Sequence, residues 1–182
     1  MQAGMTIPLN DDAEMAANAT FEALLQQHAG IVLKIAYTYS RTKEDRDDLG
    51  QEICAALWQS FARYDRSRPF ATWMYRVGLN VAISQVRRAR TRDRPSLSIH
   101  HDAIDIAAAP PPEPDPRLSA LDQFIQQTDP LNRALLLLYL DERSYAEIAD
   151  VLGITETNVA TKISRLKQVI RRDLSVANET AR

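Results

Sequence analysis

SYAEIADVLGITETNVATKISRLKQVIRR, running from Ser144 to Arg172, is the stretch that decides the fold. Ala146, Ile148, Ala149, Val151 and Leu152 supply the apolar positions of a short first helix. Gly153 falls where a helix end favours a residue tolerant of positive φ. Thr155 is a good N-cap for a second helix, and Glu156 puts negative charge in its first turn, where the helix dipole favours it. Val159, Ile163, Leu166 and Ile170 recur at helical spacing and mark a buried stripe. Beside that stripe lie Asn158, Thr161, Lys162, Arg165 and Lys167, with Arg171 and Arg172 at the end. A short helix, a glycine turn and a basic amphipathic helix predict a helix-turn-helix rather than an ordinary helical hairpin. The second helix of such a unit enters the DNA major groove, where Arg or Lys pairs with guanine and Asn with adenine. Further cations hold phosphates.

The chain has 182 residues, 45% hydrophobic and 25% charged, the composition of a globular protein. Glycine is sparse and strand-like alternation is rare, so an all-α fold is expected. The net charge of -2 does not announce a nucleic-acid partner, but the distribution of charge does. Arg87, Arg88, Arg90, Arg92 and Arg94 form one basic cluster and the helix-turn-helix forms a second. Acids gather in the N-terminal third and in a Pro-rich stretch, which suggests a non-DNA partner as well. The single cysteine, Cys54, excludes an internal disulfide and a cysteine zinc site, and a buried small hydrophobe is its expected role. No signal peptide pattern opens the chain, and the apolar run from Ala134 to Leu140 is too short to span a bilayer. A cytoplasmic protein without membrane insertion is therefore expected.

Read in order, residues 1–19 form a flexible acidic tail. Thr20 caps a helix from Phe21, and an amphipathic segment with Leu24, Leu25, His28, Ile31, Val32, Ile35 and Ala36 is broken near Gly30. Ser40 to Asp48 reads as a charged connection. A new helix from Asp47 turns Leu49, Ile53, Ala56, Leu57 and Phe61 to one face, and Asp48, Gln51, Glu52, Gln59 and Arg63 to another. A loop from Arg63 to Pro69 leads into a helix over 71–90, with Trp73, Val77 and Val81 inward and Arg76, Asn80, Arg87 and Arg88 outward. Aromatics beside arginines and an exposed Asn80 are what single-stranded DNA binding uses. Residues 93–116, rich in proline and acids, are a flexible linker. His100 and His101 in it make a poor metal cage. A second helical domain covers 117–175, with Asp129 and Pro130 starting a nearly all-apolar helix, and 176–182 is a flexible tail. No glycine-rich phosphate loop, metal-ligand spacing or nucleophile–base arrangement is present, so neither an enzyme nor a cofactor is expected.

Three motifs in this order resemble a bacterial RNA polymerase sigma factor of the extracytoplasmic-function (ECF) type, within the sigma-70 family. DDLGQEICAALWQSFARYD is similar to the family's region-two helix, with Asp48, Leu49, Gln51, Glu52 and Trp58 on its pattern. PFATWMYRVGLNVAISQVRR is similar to the following region-two segment at Phe70, Thr72, Trp73, Tyr75, Arg76 and Asn80. Pro130, Arg133, Tyr145, Ile148, Ala149, Leu152, Gly153, Ile154, Val159 and Arg165 fall on the region-four pattern. The chain departs from the family at Ala160, where Lys is frequent, at Lys162, where Arg is frequent, and at Gly78-Leu79 before Asn80.

The resemblance implies a non-enzymatic specificity subunit with core RNA polymerase and promoter DNA as partners. Asp48, Leu49, Gln51 and Glu52 would dock the β′ clamp helices, and the second domain would meet the β flap. The loop from Tyr64 to Phe70 and the helix bearing Asn80 would trap the melted minus-ten element, with Arg76, Arg87 and Arg88 on backbone phosphates. Asn158, Thr161, Lys162 and Arg165 would face the minus-thirty-five element. Many family members are held inactive by an anti-sigma factor. The alternative, a stand-alone helix-turn-helix regulator, leaves the docking-type helix and the Trp73–Asn80 segment unexplained.

Overall fold

Side chains that accept orphan backbone N–H groups set where the helices begin. The computed structural model describes residues 19–92 and 124–180, with side chains over 19–89 and 124–172. Within those limits every regular element is a helix. Helix α1 (described over 19–27) gives way at His28 to α2 (Ala29–Tyr39), so the break next to Gly30 is present, while Thr20 lies inside α1 rather than capping it. Helix α3 is Lys43–Ser60, followed by a 3-10 turn at Phe61–Arg63, and α4 is Phe70–Arg92. Helix α5 (described over 124–127) precedes α6 (Pro130–Leu140), α7 (Tyr145–Leu152) and α8 (Glu156–Thr180). The N-terminal tail, the linker with its two histidines and most of the arginine cluster beyond Arg88 lie outside the described side chains.

Two boundaries differ from the sequence reading by more than two residues. Helix α3 starts at Lys43, because the Thr42 hydroxyl accepts the Asp45 N–H at 3.0 Å and Glu44 and Asp45 place acids in the first turn. Helix α8 continues to Thr180, past the expected domain end at 175.

The helix-turn-helix forms as its residues dictate. Ser144 caps α7 in a reciprocal box: its Oγ accepts the Glu147 N–H at 3.2 Å, and the Glu147 carboxylate accepts the Ser144 N–H at 2.9 Å. Gly153 ends α7 at φ 66°, in the left-handed region. Thr155 Oγ1 accepts the Asn158 N–H at 3.2 Å and starts α8. At the preceding turn, Asp129 caps α6 through the Leu131 and Asn132 N–H groups, with Pro130 in the first helical position.

In the first domain, Ile35 from α2, Leu49, Ile53 and Leu57 from α3, and Met74, Tyr75 and Leu79 from α4 are almost wholly buried. In the second, Leu135, Leu138, Ile148, Val159 and Ile163 fill the space between α6, α7 and α8. Each such aliphatic side chain contributes about 1.5–3 kcal/mol by leaving water. These two sets are parts of one contiguous core. Helix α4 packs against α2 and α3 on one side and against α6 and α7 on the other. That double packing explains why its inward residues are Met74, Tyr75, Leu79 and Ala82, while Trp73, Val77 and Val81 are only half-buried.

Polar bonds stitch the domains together. Tyr39 Oη donates to Pro130 O at 2.6 Å, and Tyr75 Oη donates to Asp141 Oδ2 at 2.6 Å. Lys34 Nζ donates to the other oxygen of Asp141, and Arg143 donates to Oδ2 from Nε and Nη2, both at 3.2 Å. Buried Arg133 spreads its guanidinium over Gln126 O (2.6 Å), Thr128 O (3.2 Å) and Thr38 O (3.4 Å), with the Tyr39 ring beneath it. Arg68 Nη1 reaches both Asp150 oxygens, at 2.7 and 3.0 Å. Burial raises the Asp141 carboxyl, but hydrogen bonds from Lys34, Tyr75 and Arg143 outweigh it and hold the group below the usual carboxylate range. Among the described residues no helix is long and apolar enough to cross a membrane.

At Gly78, α4 crosses α2 and α3 without side-chain clearance. A Cβ there would come within 2.7 Å of Ile35 Cδ1 and 3.3 Å of Ile53 Cγ2, and both isoleucines are fully buried. Gly78→Leu is expected to lower the urea unfolding free energy by about 1–3 kcal/mol through overpacking, against the gain of roughly 1 kcal/mol from removing a helical glycine. An unchanged or raised midpoint would show that the crossing can open at little cost.

Candidate nucleic-acid interface

Two surfaces carry the chemistry. The first is a shallow cavity of about 340 Å³ between the loop after the 3-10 turn and the start of α4. Arg63, Arg68 and Arg76 contribute cations to it, and Tyr64, Trp73 and Asn80 contribute flat or amide surfaces. Its aromatic wall is continuous: Trp73 lies 5.0 Å from the Tyr64 ring centroid, 5.2 Å from Phe70 and 6.2 Å from Phe61. The loop is braced internally. Tyr64 Oη donates to Arg68 O at 2.5 Å, and Asp65 Oδ1 accepts the Ser67 N–H at 2.9 Å. That backbone hydrogen bond, with the Ser67 side chain and Arg68 adding to it, holds Asp65 below the usual carboxylate range. Aromatic faces, an amide and three guanidinium groups around one cavity suit an unstacked base and its phosphates. Periodicity alone gave Trp73 and Val77 as core. Their half-burial follows from the crossing of α4, which leaves this side of the helix as the cavity floor.

Farther along α4, Arg87 and Arg88 are exposed, and Arg88 lies 3.9 Å from Glu52 of α3. Asp48, Gln51 and Glu52 are likewise on the surface of α3. Leu49 is not: at 0% exposure it belongs to the core, so a docking role for its side chain is corrected here to support of the helix that presents its neighbours. Gln51 borders an open apolar groove of about 800 Å³ between α2 and α3, where Leu33 and Tyr37 are 61% and 60% exposed. Cys54 is half-buried in that groove rather than enclosed, and burial pushes its thiol up. The sequence signal for Leu33 and Tyr37 was their i,i+4 spacing off the buried stripe of α2.

The second surface is α8. Asn158, Thr161, Lys162 and Arg165 fall within about a third of the helix circumference at about 100° per residue. Asn158, Thr161 and Arg165 are exposed and Lys162 is half-buried. Val159, Ile163 and Leu166 point the other way into the core. The Thr161 hydroxyl donates to Thr157 O at 2.9 Å, which orients it and leaves its lone pairs outward. Lys167, grouped with the basic residues in the sequence, sits over the Tyr139 ring at 4.3 Å instead.

The comparisons with known proteins agree with this layout. Sigma-70 region 2 matches residues 24–92, and Sigma-70, region 4 matches residues 118–169. The chain is 31% identical over 174 residues to the ECF RNA polymerase sigma factor SigE of Mycolicibacterium smegmatis, covering 92% of this chain and 67% of that one. The chain belongs to the ECF sigma factors. It is therefore a promoter-recognising factor of transcription initiation, and the stand-alone regulator is not favoured. It is also 25% identical over 156 residues to the ECF sigma factor SigW of Bacillus subtilis, covering 79% of this chain and 82% of that one. Two solved structures share the fold. Sigma factor RpoE in complex with the anti-sigma factor NepR from Bartonella quintana has a TM-score of 0.66 at 19% identity, covering 86% of this chain and 98% of that one. CnrH in complex with the cytosolic domain of CnrY has a TM-score of 0.60 at 23% identity, covering 92% and 95%. In this sigma factor the region-2 match spans the cavity and the α3 surface, and the region-4 match spans the α8 stripe.

The α8 stripe depends on how α7 is held. Backbone and side-chain hydrogen bonds from Ser144 depress the Glu147 carboxyl below its usual value. Its contribution to stability is therefore complete above the unfolded-state value of about 4.3 and is lost as pH falls through the lower folded value. Ser144→Ala is expected to cost about 1 kcal/mol at neutral pH. It should also flatten the acid limb of a urea-denaturation series run from pH 6 downward. An acid limb identical to that of the wild type would mean the box does not couple to folding.

Proposed function

We propose that the cavity beside α4 and the stripe on α8 read the two elements of one promoter for a bound core RNA polymerase. The observation that carries this reading is the cavity itself, a pocket of aromatic rings, arginines and Asn80, on the same chain as the polar stripe of α8. The pocket takes an unstacked base of the melted minus-ten element. Arg76, Arg87 and Arg88 follow its phosphates. Asn158, Thr161, Lys162 and Arg165 enter the major groove at the minus-thirty-five element. Asp48, Gln51 and Glu52 dock the β′ clamp helices, and the second domain meets the β flap. The chain acts in the cytoplasm and catalyses no reaction of its own. Because both structural neighbours are complexes, one with an anti-sigma factor and one with the cytosolic domain of CnrY, a polypeptide regulator that masks these surfaces also belongs to this reading.

The test is transcription from a promoter library by purified bacterial core polymerase with and without the chain. Initiation that depends on the chain, from a shared pair of elements, is the expected result. No initiation and no co-elution with core would overturn it. On the promoters recovered, Lys162→Ala and Arg165→Ala should each cost about 1–3 kcal/mol, and only on sequences carrying the matched minus-thirty-five base. An equal loss on every sequence would place these residues on phosphates.

A further inference from the structure

Asp65 to Pro69, between the 3-10 turn and α4, are all exposed. Such residues gain little from burial, so the shape of the loop rests on its hydrogen bonds. Three of these close on one another. Tyr64 Oη donates to Arg68 O at 2.5 Å, Asp65 Oδ1 accepts the Ser67 N–H at 2.9 Å, and the Arg68 N–H donates to Asp65 O at 3.1 Å. The last two make a four-residue turn with an Asp side chain bonded two residues on. Tyr64 ties that turn to the helix behind it: its ring centroid is 5.3 Å from Phe70 and 5.0 Å from Trp73 of α4.

The two bonds that reach Arg68 do different things. Asp150 holds its guanidinium in an ion pair about half exposed on both sides. Tyr64 holds its backbone carbonyl, and so places the residue whatever the guanidinium does. Tyr64, Asp65 and Arg68 line the same cavity as Trp73 and Asn80. One phenol thus joins the rim of the cavity, through its hydroxyl, to the floor, through its ring. A rim already in its bound shape spares an entering base the entropy of ordering it. The ring contacts and the hydroxyl bond are separable, because Phe supplies the first without the second.

We propose that Tyr64 is a positioning residue for strand capture. Its hydroxyl, acting through the Arg68 carbonyl, holds the exposed loop in the shape that admits an unstacked base, and Asp65 sets the turn inside that loop. The capture half of this inference rests on the assignment of the cavity to the minus-ten strand, whereas the brace itself does not.

The experiment compares the full-length wild type with Tyr64→Phe, which keeps the ring, and with Asp65→Ala and Asp65→Asn, of which only the second keeps an acceptor for the Ser67 N–H. Limited trypsin digestion reads the loop, because Arg66 is exposed within it while Arg68 is followed by Pro69. Strand capture is read with the chain bound to purified core polymerase. The probe is a labelled non-template strand of about 12 nucleotides from a promoter recovered above. A matched set of strands carries one abasic site at each position in turn. In Tyr64→Phe, cleavage after Arg66 is expected to be about fivefold faster, the worth of one hydrogen bond. Affinity for the intact strand should fall by a similar factor. On the abasic strand that the wild type binds most weakly, whose missing base is the one the cavity takes, affinity should not change. Asp65→Ala should follow Tyr64→Phe, and Asp65→Asn should follow the wild type. Unchanged cleavage in Tyr64→Phe overturns the brace. Faster cleavage with unchanged affinity overturns the positioning role, and so does an equal loss on intact and abasic strands. A wild type that binds every abasic strand as well as the intact one removes the minus-ten assignment, and digestion then judges the brace alone.

Discussion

A phenolic hydroxyl taken out of water must find an acceptor, because leaving it unpaired costs about 1–3 kcal/mol. Two such hydroxyls, on Tyr39 and Tyr75 of the first domain, find theirs at opposite ends of α6 in the second. Pro130 O is at its first residue and Asp141 is just past its last. Two anchors on one short helix fix both its position and its direction across α2 and α4. The remaining contacts follow from that placement. Burial, with the partner at Asp141 adding to it, raises the Tyr75 hydroxyl well above its ordinary value, so it stays a donor throughout the physiological range. With α6 seated, α7 comes against α4, Asp150 reaches Arg68, and α8 keeps its polar stripe in solvent.

What was legible in the sequence was what local chemistry decides. Gly153, Thr155 and the Asp129-Pro130 pair marked helix ends because caps act within three or four residues. The all-helical class and the basic stripe of α8 followed from periodicity. The charged run behind Thr42 reads as a connection, although acids in a first turn are a start signal. A one-face stripe turns Trp73 inward, but α4 is packed on two sides and buries Met74, Tyr75 and Leu79 instead. Leu49 shows a different limit. A motif marks residues that recur together, and within one motif Gln51 is exposed to solvent while the buried Leu49 holds the helix in place. The bonds between domains join residues 66 to 107 positions apart, where no local signal exists.

Charge placement completes the picture. The net charge is slightly negative, yet arginines concentrate at the cavity and along α4. An overall negative chain discourages non-specific association with nucleic acid, while local positive surfaces act over the Debye length of about 8 Å at physiological salt. In the function proposed above, specificity resides in groups held in place: the braced Tyr64–Arg68 loop, and a helix whose opposite side is locked in the core.

The fold-back joins two parts of a single polypeptide, and that sets how it responds to abundance. Parts of one chain meet at an effective concentration set by the chain itself, whatever the number of molecules in the cell. Raising or lowering expression therefore leaves the proportion of folded-back chains unchanged. A binding partner changes it only by holding one domain more tightly than its own sister domain does.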